Sequence, residues 1–489
     1  MRSSRFHLLV SPLVAVSAVL GAYRAAIAEE AAAKVPITTA SAEARQAYLT
    51  GRDLLEKLRA TDSRAHFAKA VELDPGFALA YYGLAIGAPT AGDFFAALRH
   101  AVALADKVSA GEAHMIRALE AGVNGQPEVV RQHLTALVGA FPQDERAHNL
   151  LGNFHFGRQE WQTAIDEYRK ATTINPGFSQ PYNQLGYALR FLENYDEAEQ
   201  AFKKYVELIP GEPNPYDSYA ELLMKRGRFS ESIAQYQKAL SLDPNFVASY
   251  VGIANNQIFL GRPGEARETL AKLSAIARND GERRQAHFWT AVAFLHEGDS
   301  KAALGEIERA YGIAKQAGDR AAMAGDLNQM GTILLHAGQG AAALAKYEES
   351  VAMTDSANVT AEVKEAAHRN HLSSTARAEL VRGDVAAAAA AAQRYREQVA
   401  VKQVPFEVWQ SHEIAGLVAA AKGDHATAVR ELEQANQQDP RALLALGEAY
   451  AAAGDAATAK RTIERAASFN GLGFTYAFVR AKAQAKLKS

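Results

Sequence analysis

Apolar and small residues along this chain recur at the three-and-four spacing that marks one face of a helix, and the helices so marked come in pairs. From Arg146 the pattern runs Leu151-Gly152, Ala164, Tyr168, Ala171 and Pro176. From Gln180 it runs Tyr182, Leu185-Gly186, Ala198, Phe202 and Pro210, and from Asn214 it runs Tyr216, Tyr219-Ala220, Tyr236, Ala239 and Pro244. Pro142, Pro176, Pro210 and Pro244 are spaced 34 residues apart. A fixed period of that length belongs to a supersecondary unit stacked many times. The small residue after the leucine (Gly152, Gly186, Ala220) is expected where two helices approach closely, facing Ala164, Ala198 and Ser232. The aromatic residue (Tyr168, Phe202, Tyr236) is expected to fill the groove between neighbouring units. Proline cannot continue a helix and sets the turn into the next unit. Four pairs, Gly298-Asp299, Gly383-Asp384, Gly423-Asp424 and Gly454-Asp455, predict a helix stop followed at once by the next N-cap.

Taken together, these residues resemble the tetratricopeptide repeat family. The resemblance is strongest from Gly111 to Pro244 and from Trp409 to Ala467, and earlier positions (Gly51, Phe67, Ala70, Pro75, then Tyr81, Leu84, Gly92, Ala97) keep the phase. Past Arg278 the repeats lose their regular proline and the joins lengthen, at Arg278–Arg283 and Thr354–Glu362. The phase returns at Ala303 and Ala310, then at Gly331, Gly338, Ala343 and Tyr347. The resemblance implies an all-α fold, a right-handed α-solenoid superhelix of about 11–12 helix–turn–helix repeats. Gly473–Ser489 reads as a last helix with a polar outer side, suited to capping the array. The organisation expected is a signal peptide at 1–28, a leader at 29–43 (mobile over Glu29–Ala40), an N-terminal array at 44–280, a C-terminal array at 281–470 and the capping helix at 471–489.

The amino terminus changes the picture of where the chain works. Arg2 and Arg5 precede an apolar run from Leu8 to Tyr23, and Ala26-Ile27-Ala28 is a small-x-small site followed by Glu29 and Glu30. This reads as a secretory signal cleaved after Ala28. The run is shorter than the ~20 residues needed to span a bilayer, and Pro12 lies inside it. Cleavage would remove Arg2, Arg5 and Arg24 and leave 50 basic against 55 acidic residues, a net of −5. That balance gives no reason to expect nucleic acid as a partner. No second stretch is apolar enough to span a membrane. Cysteine is absent, which excludes disulfides, thiolate metal sites, a cysteine nucleophile and a lipid-anchored cysteine. The expected location is outside the cytoplasm, in a bacterial periplasm.

Catalytic patterns are not found. His412-Glu413 begins an HExxH, but Gly416 stands where the second histidine would be. His368 and His371 lie one helical turn apart without a third ligand near in sequence. Gly338-Gln339-Gly340 lacks the rest of a dinucleotide fingerprint, and no Gly-Lys pair or G-x-S-x-G elbow occurs. The expectation is a non-enzyme without cofactor or metal. The family resemblance implies that the first helix of each repeat lines a concave groove that binds a protein or peptide partner. Residues mapped to that face are Arg146, Asn149, Asn153, Asn183, Tyr187, Arg190, Asn214 and Asn255, with Asp217 and Glu221 beside them. Asparagine offers donor and acceptor together, which suits an extended peptide backbone. The lysine–arginine clamp that some family members use for a chain-terminal carboxylate does not match, since Gln184, Asn214 and Ser218 stand at its positions. Phe191 and Phe259, near first-helix ends, are candidate aromatic anchors. The other reading is an assembly subunit of an envelope machine such as a pilus, secretion or polysaccharide export system.

Overall fold

Alanine-rich, amphipathic segments separated by short polar turns have one way to bury their apolar stripes, which is against each other. In the computed structural model, which describes residues 34–488 except Leu472, they form α-helices joined by tight turns. Among the described residues there are 25 helices and one 3-10 turn, and no strand. We number them α1–α25. The first helices of the hairpins are α1 (Ala42–Glu56), α3 (Ala78–Ile86), α5 (Ala110–Val123), α7 (Glu145–Gly157), α9 (Ser179–Phe191), α11 (Pro213–Lys225), α13 (Val247–Phe259), α15 (Asp280–His296), α17 (Arg320–His336), α19 (Ala361–Arg382), α21 (Pro405–Ala421) and α23 (Pro440–Ala452). Each is followed by a second helix, α2 to α24, and the last element is α25 (Tyr476–Lys486). The second helices include α2 (Ala60–Leu73), α8 (Trp161–Ile174), α12 (Phe229–Leu242), α16 (Ser300–Gln316), α18 (Gly340–Ser356) and α24 (Ala456–Ser468). The chain divides into two units between Pro210 and Gly211, with five hairpins in the first and seven in the second. Each unit is an α-solenoid in which the second helix of one hairpin packs on the first helix of the next.

The repeat residues have the roles their chemistry suggests. All four Gly-Asp pairs form the turn: Gly298, Gly383, Gly423 and Gly454 have φ of 81°, 82°, 78° and 90°. Asp299, Asp384, Asp424 and Asp455 then accept from the backbone N–H three residues on, at 2.9–3.0 Å. Glycine carries the left-handed stop without a Cβ penalty, and aspartate satisfies a free helix N–H. The aromatic positions differ in one respect from expectation. Tyr168 and Phe202 press on the glycine of their own hairpin, so that a Cβ at Gly152 or Gly186 would lie 2.6–2.7 Å from the ring. Tyr236 instead reaches the next hairpin, against Gly252. Helix packing also runs on across both lengthened joins. Arg278 and Asn279 bind Glu282 there, and the helices flanking Arg278–Arg283 and Thr354–Glu362 remain in contact.

Residues 1–28, read as a signal, lie outside the described residues, as do 29–33 of the leader. The described part of the leader is pinned, contrary to the expectation of mobility. Val35 N–H donates to Asp144 Oδ2 at 2.8 Å and Thr38 N–H to Glu112 Oε1 at 2.8 Å. The Thr39 hydroxyl donates to Asp74, the Lys34 ammonium pairs with Glu145, and the side chains of Val35 and Ile37 join apolar clusters. This strap crosses the N-terminal side of α7, α5 and α3 in turn. Carboxylates that already sit at helix starts satisfy its backbone, which an unanchored leader would have left to water. No described helix is long and apolar enough to cross a membrane.

Candidate partner-binding surface

In the first unit the first-helix face is concave. The Arg146 guanidinium, at the start of α7, reaches the Glu56 carboxylate at the end of α1 by two bonds of 2.6 and 2.9 Å. Side chains three hairpins apart can meet only across an inward-curving surface. Arg146 also pairs with Glu145 and lies over the Phe178 ring at 4.9 Å. Burial works against its charge, but the Glu56 carboxylate outweighs that and holds the guanidinium ionised. Burial likewise raises the Glu145 carboxyl, yet its bonds to Lys34, Arg146 and Asn175 carry it below the usual carboxylate range. Arg146 is therefore engaged in ion pairs within the chain, with its side chain still 29% exposed.

The asparagines fall into three groups. Asn149 and Asn183, equivalent positions 34 residues apart on α7 and α9, are 3% and 7% exposed. Asn149 Nδ2 donates to Gln180 Oε1 at 3.0 Å, linking the two helices, while the carboxamide oxygens of Asn149 and Asn183 have no hydrogen-bond partner. Asn153 is used internally, accepting from the Tyr168 hydroxyl at 2.9 Å. Beyond it on α9, Arg190 lies over the Tyr187 ring at 4.8 Å, and Phe191 stacks on Trp161 at 4.3 Å. Asn214 and Asn255 belong to the second unit. Asn214 is half-buried on α11 and accepts from Ser218 at 3.4 Å. Asn255 is 2% exposed and donates to the Val251 carbonyl one turn back on its own helix, so it presents nothing to a groove. A helix rotates 100° per residue, and the recurrence of asparagine alone does not show which side it faces.

Reading the repeats did not anticipate the carboxylate row Asp74, Glu112, Asp144 and Glu145 that holds the strap. Its one signal was the capping-box pattern Ser109-x-x-Glu112, which is formed. In the second unit, Phe259 is covered by Tyr476 and Arg480 of the chain's own end. A cavity of about 390 Å³ opens there between α17, α18, α19 and α21, lined by Asn328, Ser350, Asn370, His371 and Phe406. His371 Nδ1 has no partner, and burial lowers its basicity. His368 bonds Asp355 at 3.0 Å instead of sharing a ligand with His371. Among the described residues no cluster of three metal-ligating side chains occurs.

Residues 117–177, 179–212, 223–287 and 440–465 match sequence models described as tetratricopeptide repeat. No match is found among curated proteins. Solved structures similar to the chain include a tetratricopeptide repeat protein from Parabacteroides merdae, 16% identical, with 56% of this chain and 94% of that one covered and a TM-score of 0.35. The Cut9–Hcn1 hetero-tetramer of the APC/C is 13% identical over 86% of this chain and 76% of that one, with a TM-score of 0.39. YrrB, described as a TPR protein with an unusual peptide-binding site, is 18% identical over 37% and 91%, with a TM-score of 0.28.

Proposed function

Because the chain is a tetratricopeptide repeat protein, we propose that it is a non-catalytic scaffold that binds a polypeptide partner on the inner face of its first unit, along α7 and α9. The observation that carries this reading is the pair of unpartnered carboxamide oxygens on Asn149 and Asn183, one repeat apart. A buried acceptor without a donor costs about 1–3 kcal/mol, and a turn of each carboxamide toward the groove would let a backbone N–H of an extended segment recover it. Successive repeats then act as rigid supports for many shallow contacts.

The test is crosslinking in cells with identification of the captured partner, followed by capture with the Asn149→Ala/Asn183→Ala double variant. Loss of capture at an unchanged melting temperature is expected. Undiminished capture by the folded variant overturns the reading. Asn153 is left in place because its carbonyl holds Tyr168. We propose further that the protein works outside the cytoplasm, in a bacterial periplasm, on the strength of the amino-terminal charge and apolar pattern and the absence of cysteine. Protein from the periplasmic fraction should begin at Glu29; a cytoplasmic product beginning at Met1 would contradict it.

A further inference from the structure

An end cap needs to cover only the last hairpin, and α25 does pack on α23 and α24. Its contacts extend well beyond that. Asn470 Nδ2 donates to the Lys225 carbonyl at 3.5 Å, across 245 residues of sequence, and the Lys225 ammonium lies 3.4 Å from the centre of the Phe469 ring. Tyr476, 1% exposed, sits among Phe259, His296 and Phe469 with ring centres 5.6–6.1 Å away. Phe474 stacks on Phe288 at 5.3 Å, and Phe478 stacks on His336 at 4.0 Å with the planes 8° apart. The Arg480 guanidinium covers Phe259 at 4.8 Å and donates to Asn470 Oδ1 at 3.2 Å.

The four seats form one register. Lys225, Phe259, His296 and His336 each stand two residues before the turn glycine (Gly227, Gly261, Gly298, Gly338), at the C-terminal end of α11, α13, α15 and α17. A single segment thus lies across equivalent positions of four consecutive hairpins, as a bound ligand of a repeat array does. Phe259, a candidate anchor for a partner, is already occupied. We propose that the inner face of the second unit is a docking surface for a helical segment bearing closely spaced aromatics followed by basic residues, that Phe469–Lys486 is its resident occupant in the free chain, and that a partner segment of the same chemistry enters by displacing it.

The contacts suit displacement. They are ring stacks, cation–π pairs, a long hydrogen bond and the apolar burial of Tyr476, Ala477, Val479 and Ala483, and each is available equally to an incoming segment with the same side chains. Gly471 and Gly473, at the join between Asn470 and α25, leave the backbone there freer to swing. This docking surface is independent of the Asn149/Asn183 reading, which concerns the first unit.

The experiment uses the full chain and a fluorescein-labelled peptide of residues 468–488. Anisotropy is measured with the wild type and with the Tyr476→Ala/Phe478→Ala variant, whose tail is weakened. The variant is expected to bind the peptide at least tenfold more tightly than the wild type, whose face is filled. A folded variant that binds no more tightly overturns the proposal. Should the double variant not fold, native-state amide exchange of the wild type decides. Opening of α25 before α13 and α15 supports the proposal, and exchange of all three only on global unfolding overturns it.

Discussion

Acidification should loosen the C-terminal segment of the second unit. His296 lies between the Phe259 and Tyr476 rings with Arg480 close by, and His336 lies under Phe478. His336 is faced by Lys482 from α25, Arg441 from α23 and Arg377 from α19. Burial first, and these cations second, push His296 down to about 4 and His336 down to about 3. Once the segment leaves, both rings meet water and return to roughly 6.5. The docked state therefore holds neutral histidines that the open state protonates. Docking stability is full above pH 6.5 and falls as pH drops below it. At pH 5 each histidine subtracts ~2 kcal/mol, so the pair shifts the opening equilibrium by ~4 kcal/mol, or ~1000-fold. The nearby carboxylates Glu413 and Asp439 are ion-paired to Arg377 and Arg441. Global melting is the wrong assay, because Asp217 opposes the effect. Burial, then the charge of Glu221, pushes its carboxyl up to about 7 against the pull of the Ser249 hydroxyl, so it gains stability as pH falls from 7 toward 4. The readout is amide exchange at Ala477–Ala483, corrected for intrinsic rates, between pH 8 and pH 5. A His296→Gln/His336→Gln variant should show almost no pH dependence over that range. An opening equilibrium in the wild type that stays constant from pH 7.5 to pH 5 would refute the reasoning.

Other perturbations test the packing and the strap. Ala at Gly252 would place its Cβ 2.1 Å from Tyr236, so the ~1–3 kcal/mol of overpacking should outweigh the helix-propensity gain of ~1 kcal/mol and lower the melting temperature. Gly305 on α16 has open space around its Cβ position, and Gly305→Ala should raise the melting temperature instead. Glu112→Ala leaves the Ser109 and Thr38 N–H groups without their acceptor, so trypsin should cut after Lys34 roughly tenfold faster, given ~1–3 kcal/mol for a lost charged acceptor; an unchanged rate would mean the strap is held without Glu112. Asp217→Asn mimics the protonated acid and should stabilise the protein at pH 8 by up to ~4 kcal/mol, an advantage that vanishes near pH 4; chemical denaturation at the two pH values reads it.

Much of the fold was legible because its determinants are local. A proline every 34 residues, a glycine opposite an aromatic and a Gly-Asp turn each act within one hairpin, so a single repeat carries the information for its own shape. The partnering of Tyr236 with Gly252 was harder to see, since hairpins on either side share that ring and period alone does not say which owns it. The strap was not legible for the opposite reason. Lys34–Thr39 belongs to no repeat, and its anchors Asp74, Glu112 and Asp144 are ordinary helix-end and helix-start carboxylates until the backbone crosses them.

The candidate surface divides along the same line. Asn149 and Asn183 recur because equivalent repeat positions share an environment, and both carry an unpartnered oxygen. Asn255 failed because it is not the equivalent of either; its phase turns it into the contact between helices, where its own backbone satisfies it. The pairing of Arg146 with Glu56 was not legible, because Glu56 lies 90 residues earlier and only curvature brings it near. The row Lys225, Phe259, His296 and His336 shows what remains readable when phase is counted from the turn glycine and not from the proline. Prolines are lost after Pro263 in this part of the array, whereas the glycine persists, because a left-handed stop ends each first helix here. Counting from that stop groups four chemically unlike side chains, a lysine, a phenylalanine and two histidines. What they share is a flat or cationic surface suited to an aromatic ring. A groove selects by that shared property, so residue identity along a repeat face is a weaker guide to binding than the chemistry its successive positions have in common.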